Sequence, residues 1–345
     1  MNKSIKIISN FKFISSRQFI ILSTFSLLFF CAILFAVSIG SFKISIIDYF
    51  TGELSNIQET VLLNIRTPRV ILAGLVGASL SLSGACLQGL FRNPLADPGL
   101  IGVSSGAALG AALTIVIGSE VIPNFMLATY VLPLAAITGA AFVILMLFIF
   151  TKGFGVQSTI YMLLVGIAVN AFAGVGIGIL TYMSSESELR SLTFWTMGSF
   201  GGITWSLILP AIIIISVVLF WTLRIARRLD LLQLGEFEAY RLGVNIKKLR
   251  FNIIISSAII VGISVSLSGM IGFVGLVVPH LVRLLGGVNH NYILPASIFV
   301  GASLMILADL LSRTMIEPAE LPVGLITSAL GSPFFLWLIF KMRTE

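Results

Sequence analysis

Uncharged, apolar stretches about as long as a membrane is thick constrain this chain more than any other feature. A helix needs roughly 20 residues to cross the hydrocarbon of a bilayer. Of the 345 residues, 57% are hydrophobic and 10% are charged. A water-soluble fold of this length could not hide so much apolar surface from water, so a soluble protein is excluded. The composition and the runs together predict an all-α polytopic membrane protein. The uncharged runs are Gln18–Phe42, Val70–Phe91, Pro98–Ser119, Val121–Thr151, Gly153–Ser185, Ser191–Leu223, Phe251–Val282, Leu284–Ala308 and Leu321–Phe340.

The helices outnumber the runs, because one run is too long for a single helix. Phe251–Val282 contains Gly269 and Gly272, which indicates a turn between two helices. The first run, Gln18–Phe42, is not a short leader followed by a small-residue cleavage site, so it is interpreted as a retained span. We therefore expect about ten transmembrane helices in a single membrane domain covering residues 1–345.

The basic residues orient these spans. Lysine and arginine accumulate in the cytoplasmic loops of membrane proteins. An inside amino terminus puts both termini in the cytoplasm and most of the 21 basic residues in cytoplasmic segments, above all the tail 1–17 and the connection 224–250. The net charge of +7 is therefore explained by basic residues in the cytoplasmic loops and does not indicate a nucleic-acid partner. The basic residues left outside are Lys43, Arg66, Arg69, Arg190 and Arg313.

The connection 224–250 is the longest cytoplasmic segment between spans. Inside it, "LGEFEAYRLGV" (234–244) has strong helix formers in the middle and a glycine near each end, Gly235 and Gly243. The segment predicts a short helix that is too polar to lie in lipid. It is either a solvated loop or a surface that a partner outside the membrane needs. Its charged residues are Glu236, Glu238 and Arg241.

Small and turn-forming residues indicate how the spans pack. Gly102, Gly106 and Gly110 are four residues apart, which favours close contact between helices over a direct role with substrate. The segment "FRNPLADPG" (91–99) predicts a cytoplasmic turn between the second and third spans.

Residues that carry chemistry are scarce. The chain has no G-x-x-x-x-G-K-[ST] phosphate loop, and its histidines, His280 and His290, belong to no group with metal-ligand spacing. We expect no catalytic residue, no metal site and no cofactor in this chain. Asp309 is a candidate proton carrier, but Arg313 four residues later favours a local ion pair. For His280, packing and hydrogen bonding at a helix end are favoured over substrate contact.

Five segments resemble the permease subunits of the FecCD-type ABC transporters, which import iron–siderophore complexes, haem and cobalamin. The similarity runs from about residue 60 to residue 340. It implies the fold of the cobalamin-importer permease, with ten helices and cytoplasmic termini, in the bacterial cytoplasmic membrane. The segments are "RTPRVILAGLVGASLSLSGACLQGLFRNPLADPGLIGVSSGAALG" (66–110), "WTMGSFGG" (195–202), "LGEFEAYRLGV" (234–244), "GFVGLVVPHLVRLLGG" (272–287) and "AELPVGLITSALGSPFFLWL" (319–338).

The resemblance implies partners and a means of coupling to them. The partners are a second permease subunit (identical or related), two cytoplasmic ATPases that bind ATP and Mg, an extracellular or periplasmic substrate-binding protein, and membrane lipid. In the family, the connection after the sixth span forms a coupling helix that fits a cleft on the ATPase. Carried over to this chain, the coupling residues are Leu234, Gly235, Glu236, Glu238, Arg241 and Gly243.

The resemblance also implies a docking site and a gate. Family arginines matching Arg66, Arg69 and Arg313 meet glutamates on the two lobes of the binding protein; the alternative here is anchoring of helix ends at lipid headgroups. The segment "GVQSTIYMLLVG" (155–166) is similar to a cytoplasmic constriction that maps to Thr159 and Ile160. A family example carries a small polar residue in place of Ile160, and a structural turn is the alternative.

The cargo and the class of protein have alternatives. An iron(III)–siderophore complex is the expected cargo, followed by haem and then cobalamin. An ion-coupled secondary transporter would move substrate without ATP and would not need the 234–244 surface. A membrane-bound sensor or scaffold would bind an external protein and transport nothing.

Overall fold

The computed structural model describes residues 14–40, 46–52, 54–118, 128–151, 158–316 and 318–344, and the described part contains helices and no strand. A π-helical turn, Val61–Arg66, lies within α3, and a 3-10 turn, Pro98–Ile101, precedes α4. The helices are α1 (Ser16–Ser38), α2 (Ile46–Thr51), α3 (Asn56–Phe91), α4 (Val103–Val116), α5 (Ala128–Thr151), α6 (Ser158–Met183), α7 (Glu186–Met197), α8 (Trp205–Leu223), α9 (Ala226–Leu232), α10 (Glu236–Arg241), α11 (Ile246–Ser268), α12 (Val274–Gly286), α13 (His290–Thr314) and α14 (Val323–Thr344).

Ten of these helices form the membrane bundle, as the sequence predicts. In the described residues, seven are long and apolar enough to cross a bilayer: α1, α3, α5, α6, α8, α11 and α13. Three shorter apolar helices, α4, α12 and α14, complete the bundle. Since ten crossings return the chain to its starting side, both termini are cytoplasmic.

Two long apolar runs are broken by glycines. The run Phe251–Val282 divides where predicted, because α11 ends at Ser268 and Gly269 follows with a φ of 71°. The run Ser191–Leu223 is also broken, at Gly198, which has a φ of 77° and ends α7. The sequence does not predict this second break, since no charged residue interrupts the run there.

The centre of the bundle is α3, which is buried on nearly every side. It packs against α13, α11 and α12. A Cβ placed on Gly77 would overlap the carbonyl group of Gly301 in α13, and one on Gly84 would overlap that of Gly275 in α12. Small residues let helix backbones touch in lipid, where no hydrophobic drive brings helices together.

The predicted glycine face of α4 is confirmed at two of its three positions. A Cβ on Gly106 or Gly110 would overlap the backbone of α5, at Gly139 and Ala135 respectively. Gly102 has a different role, because it lies before the first residue of α4 with a φ of 87°. That left-handed conformation favours glycine.

Side-chain hydrogen bonds connect segments that are distant in sequence at each end of the bundle. At one end, the Arg17 guanidinium donates to Leu285 O at 3.3 Å and the Gln233 side chain donates to Gly89 O at 2.9 Å. At the other, the Trp205 indole donates to Leu63 O at 3.0 Å. The first end carries the basic connection 224–250 and is the cytoplasmic side.

Candidate functional site

The short helix predicted in the 234–244 segment is present as α10. Gly235, with a φ of 109°, precedes its first residue, and Gly243, with a φ of 87°, follows its end. L side chains rarely adopt such angles, so the two glycines permit sharp turns on both sides of a helix of six residues. The arrangement projects α10 from the bundle between α9 and α11.

The outer face of α10 is apolar as well as charged. Four large side chains on or beside it are mostly exposed, and they are Leu234 (63%), Phe237 (64%), Tyr240 (71%) and Leu242 (56%). The Arg241 guanidinium lies 4.3 Å from the centre of the Phe237 ring. The sequence analysis emphasised the charges and missed this patch. An apolar residue indicates a binding surface only if it is exposed, and the sequence does not show which apolar residues are exposed. Exposed apolar patches of this kind are typical of surfaces that bind another protein.

The inner face of α10 is fixed to the bundle. Ala239 is fully buried, and its carbonyl accepts a hydrogen bond from the Val244 amide at 2.9 Å. Glu236 Oε1 lies 3.2 Å from Nη2 of Arg250, a buried residue in α11. This ion pair connects α10 to α11.

Three further contacts, called here the inner anchor, attach the preceding helix α9 and its last turn to the bundle. Asp230 Oδ1 lies 2.6 Å from His290 Nδ1 and accepts the His290 backbone N–H at 2.9 Å, at the start of α13. The Gln233 side chain donates to Gly89 O in α3. Sequence reasoning missed all three side chains, because their partners are 60 and 144 residues away along the chain.

At the external end, the three predicted arginines lie together but are buried. Together with Asp309 and Glu320 they form what is called here the outer arginine cluster. Arg69 Nη2 lies 2.9 Å from Asp309 Oδ1, and Arg69 Nη1 donates to both carboxylate oxygens of Glu320 at 2.9 Å. Arg313 Nε lies 3.5 Å from Asp309 Oδ2, which confirms the predicted ion pair. Arg66 donates to Val37 O at 3.0 Å and Ser38 O at 3.2 Å, while Arg313 donates to Ala36 O.

These contacts give the arginines a structural role in the single chain. Each arginine side chain is buried, and together they join the outer ends of α1, α3 and α13. Burial separates them from the aqueous headgroup region, which argues against simple anchoring to lipid. Contact with a binding protein stays a prediction, and it requires the arginines to share or leave their internal partners.

The predicted gate is only partly described. Residues 155–157 lie outside the described residues, and Thr159 and Ile160 lie in the first turn of α6 with side chains that are also outside them. Farther along, a groove of about 1220 Å³ runs between α4, α5 and α6. Its polar side chains, among the described residues that line it, are Thr114 and Thr138. Such a wall can contact a bulky apolar molecule but offers no set of metal ligands.

His280 lies in the middle of α12, not near its inner end as predicted, and the predicted hydrogen bonding is also wrong. Its ring centre lies 6.0 Å from that of Phe334, in an edge-on arrangement. Neither ring nitrogen has a hydrogen-bond partner among the described residues. No group of three or more potential metal ligands occurs in the described part of the chain.

The family model of the FecCD transport family matches residues 27–341. The chain belongs to the FecCD transport family. It is 44% identical over 310 residues to the hemin transport system permease protein HmuU of Yersinia pestis, covering 90% of this chain and 92% of that protein. It is 39% identical over 318 residues to the vitamin B12 import system permease protein BtuC of Escherichia coli K12, covering 92% and 93%.

A solved structure has the same fold. It is described as an inward-facing conformation of a metal-chelate type ABC transporter, with a TM-score of 0.82 and 35% sequence identity. The match covers 93% of this chain and 99% of that one. The FecCD chain studied here is accordingly an ABC-importer permease, a multi-pass component of the bacterial cytoplasmic membrane.

Proposed function

We propose that this permease imports an iron chelate and is driven by a separate ATPase that binds α10. The observation that carries the proposal is the two-sided character of α10. Its outer face exposes Phe237 and Tyr240, whereas its inner side is tied to α11 through Glu236 and Arg250. An exposed apolar face supplies binding energy, and a fixed inner side transmits motion as a rigid-body tilt.

The transmission has a continuous physical route. Movement of α10 acts on α11 through the Glu236–Arg250 pair, and movement of α9 acts on α3 and α13 through the inner anchor. The helices α3 and α13 touch backbone to backbone at Gly77 and Gly301. Their outer ends meet again at Arg69 and Asp309. Closure of two ATPases on the inner face would therefore tilt helices that reach the external surface.

The assembly required by this mechanism contains more than this chain. A second permease copy or relative completes a central path, and an external binding protein delivers cargo to the outer arginine cluster. The ATPases bind ATP and Mg, so this chain needs no cofactor of its own. The mass of the purified complex would distinguish two copies of this chain from a pair of this chain and a related permease.

The proposed cargo is an iron(III)–siderophore complex or haem, with cobalamin as the next candidate. The relative named for hemin and the neighbour of metal-chelate type support this class of cargo. The weakly polar groove between α4, α5 and α6 suits a bulky chelate that must move without tight binding. Because another relative is named for vitamin B12 import, cobalamin is also a candidate cargo that the uptake experiment includes.

Uptake by the complete assembly in proteoliposomes tests the proposal. Labelled ferric siderophores, haem and cobalamin would each be supplied with the binding protein, with ATP inside the vesicles. ATP-dependent accumulation of an iron chelate is expected. Accumulation driven by a proton gradient without ATP would favour an ion-coupled carrier, and binding without accumulation would favour a sensor.

A matched pair of phenylalanine variants tests the role of α10. Phe237 and Phe19 are both 64% exposed, but Phe19 lies on α1, away from α10. Aromatic interface residues often contribute about 2 kcal/mol or more to binding. Phe237→Ala should weaken ATPase binding by about tenfold or more and reduce uptake, whereas Phe19→Ala should change neither. Equal behaviour of the two variants would contradict docking at α10.

A further inference from the structure

A small polar cavity lies under the cytoplasmic end of the bundle, beside the inner anchor. Its volume is about 170 Å³. It is a half-open pocket formed by the last turn of α3, by Gln233, by Arg283 in α12 and by the turn between α12 and α13. The residues that line it are Gln88, Gly89, Arg92, Asn93, Pro94, Gln233, Arg283, Val288 and His290.

Three polar atoms on these lining residues are buried and have no hydrogen-bond partner among the described residues. They are Gln88 Oε1, Arg283 Nη1 and His290 Nε2. Gln88 and His290 are themselves only 2% and 3% exposed. Leaving a buried polar atom without a partner is destabilising, so three on the residues that line one cavity indicate that something polar belongs inside it.

The charge of the cavity indicates an anion. Arg92 and Arg283 line it, and no acidic side chain does so among the described residues. Asp230, the nearest carboxylate in the inner anchor, is bound to Nδ1 of His290, whereas Nε2 is the nitrogen without a partner. Nε2 of His290 is therefore the ring nitrogen that remains available to a ligand in the cavity.

Gln88 distinguishes one anion from another. Its Nε2 lies 3.3 Å from Gly275 O and 3.3 Å from Leu276 O, which fixes the amide orientation and leaves Oε1 as the free acceptor. A partly protonated phosphate supplies acceptor oxygens for arginine and an O–H group for this oxygen. Sulfate supplies acceptors alone.

We infer that this cavity, called here the anion pocket, binds inorganic phosphate or a phosphate monoester. A water molecule occupies about 30 Å³ in the liquid, so 170 Å³ has room for a phosphate group with some water. A lipid phosphate could enter from the membrane side, because Leu284 and Leu285 at the end of α12 and Val288 in the following turn are exposed. The shared chemistry is a singly esterified or free phosphate.

The anion pocket has a consequence for coupling that depends on the proposed function, although binding itself does not. Gln233 and His290 both line the pocket and both belong to the inner anchor. Gly89 leaves room for the imidazole, since a Cβ there would lie 2.7 Å from His290 Nε2. A bound phosphate would bridge α3, α12 and α13 at the point where α9 is attached.

Thermal unfolding of the purified full-length chain in detergent tests binding of free phosphate. Phosphate, sulfate and chloride would be compared at equal ionic strength, pH and temperature. We expect a saturable rise of the unfolding midpoint with phosphate that exceeds the rise with sulfate. Arg92→Gln and Arg283→Gln should weaken the apparent affinity by about tenfold or more, since each removes a charged donor.

The controls separate a specific site from general effects. Arg190→Gln removes one positive charge from the external end and should retain the wild-type response. Arg92 is an exposed residue at the pocket rim, so Arg92→Gln remains informative if Arg283→Gln does not fold. Gln88→Met should reduce the preference for phosphate over sulfate, which a purely structural defect would not do.

A lipid arm identifies the source of the phosphate. The chain in nanodiscs containing phosphatidic acid would be compared with the chain in phosphatidylcholine alone, with the retained lipid detected by native mass spectrometry. Stabilisation by phosphatidic acid but not by free phosphate, lost in Arg92→Gln, would assign the pocket to lipid. Equal responses to phosphate and sulfate in every variant, or no response to either source, would overturn the inference.

Discussion

The two ends of the bundle use charged residues in opposite ways. At the external end, Arg66, Arg69 and Arg313 are buried and their hydrogen bonds are made within the chain. At the cytoplasmic end, α10 exposes its aromatic side chains and keeps one ion pair, Glu236 with Arg250, on its inner side. The outer end is thus held together by contacts within the chain, whereas the inner end leaves an apolar surface exposed.

The difference follows from how charge behaves in each place. A buried ion pair is costly to break because the remaining charge loses both its partner and its water. An exposed pair is weak because water and salt screen it. The comparison predicts that single substitutions at the outer end affect stability most, whereas those at the inner end affect coupling more than stability.

Asp309→Asn gives the largest expected effect. Asp309 is 1% exposed and lies between Arg69 and Arg313, so its neutralisation removes the buried carboxylate that both cations share. We expect a loss of about 3–5 kcal/mol, read as a lower unfolding midpoint and less folded protein in the membrane. Glu186→Gln, at an exposed acid, is the control. Equal stability of the two variants would show that the buried cluster does not stabilise the outer end.

Gly235→Ala gives the second largest expected effect. The φ of 109° at Gly235 is strained for any residue with a Cβ, and such strain costs about 1–3 kcal/mol. Because α10 is small and projecting, the chain should relieve the strain by tilting α10 and lose ATPase coupling with little global unfolding. Gly272→Ala is the control, since nothing lies within 4 Å of a Cβ there. Normal ATP-driven uptake by Gly235→Ala would show that the angle of α10 is unimportant.

Two glutamates on the same helix sharpen the comparison within the inner end. Glu236 lies 3.2 Å from the buried Arg250, whereas Glu238 lies 3.8 Å from Arg241 in an exposed pair. Glu236→Gln should cost about 1 kcal/mol or more and reduce uptake, because the link between α10 and α11 weakens. Glu238→Gln should stay within about 0.5 kcal/mol of wild type. Unfolding curves and uptake rates of the two variants, measured together, decide the matter.

Asp97 gives the smallest expected effect and contrasts with Asp309. It lies in the turn between α3 and α4, where burial raises the pKa of its carboxyl group and the Gly99 N–H donates to it at 2.8 Å. Asp97→Ala should lose about 1 kcal/mol through the missing turn contact, while Asp97→Asn can retain it. A raised folded pKa favours the protonated form, so wild type should gain stability relative to Asp97→Asn as pH falls through that pKa. The difference should vanish if the carboxyl is not buried in solution.

The structure shows the predicted short helix and brings the predicted arginines together, while their roles in coupling and docking stay predictions. The glycines at 235 and 243 predicted the ends of α10, because turn geometry is a local property of the backbone. The external arginines were predicted to lie on one face, and the structure brings them together around Asp309. Their burial was not predictable, since it depends on α1, α3 and α13 converging. The anchor residues Asp230 and Gln233 gave no signal, because their partners are distant along the chain.

By itself, the sequence determined the membrane class, the ten spans, the sidedness and the place of the projecting helix. Each of these depends on local composition, on charge counts or on single glycines, which a chain carries before it folds. Only the tertiary structure decided which arginines are buried, which aromatic side chains face water and which polar atoms enclose the anion pocket. Those properties depend on contacts between residues that are distant along the chain. Exposure and pairing are therefore determined only when the helices pack together.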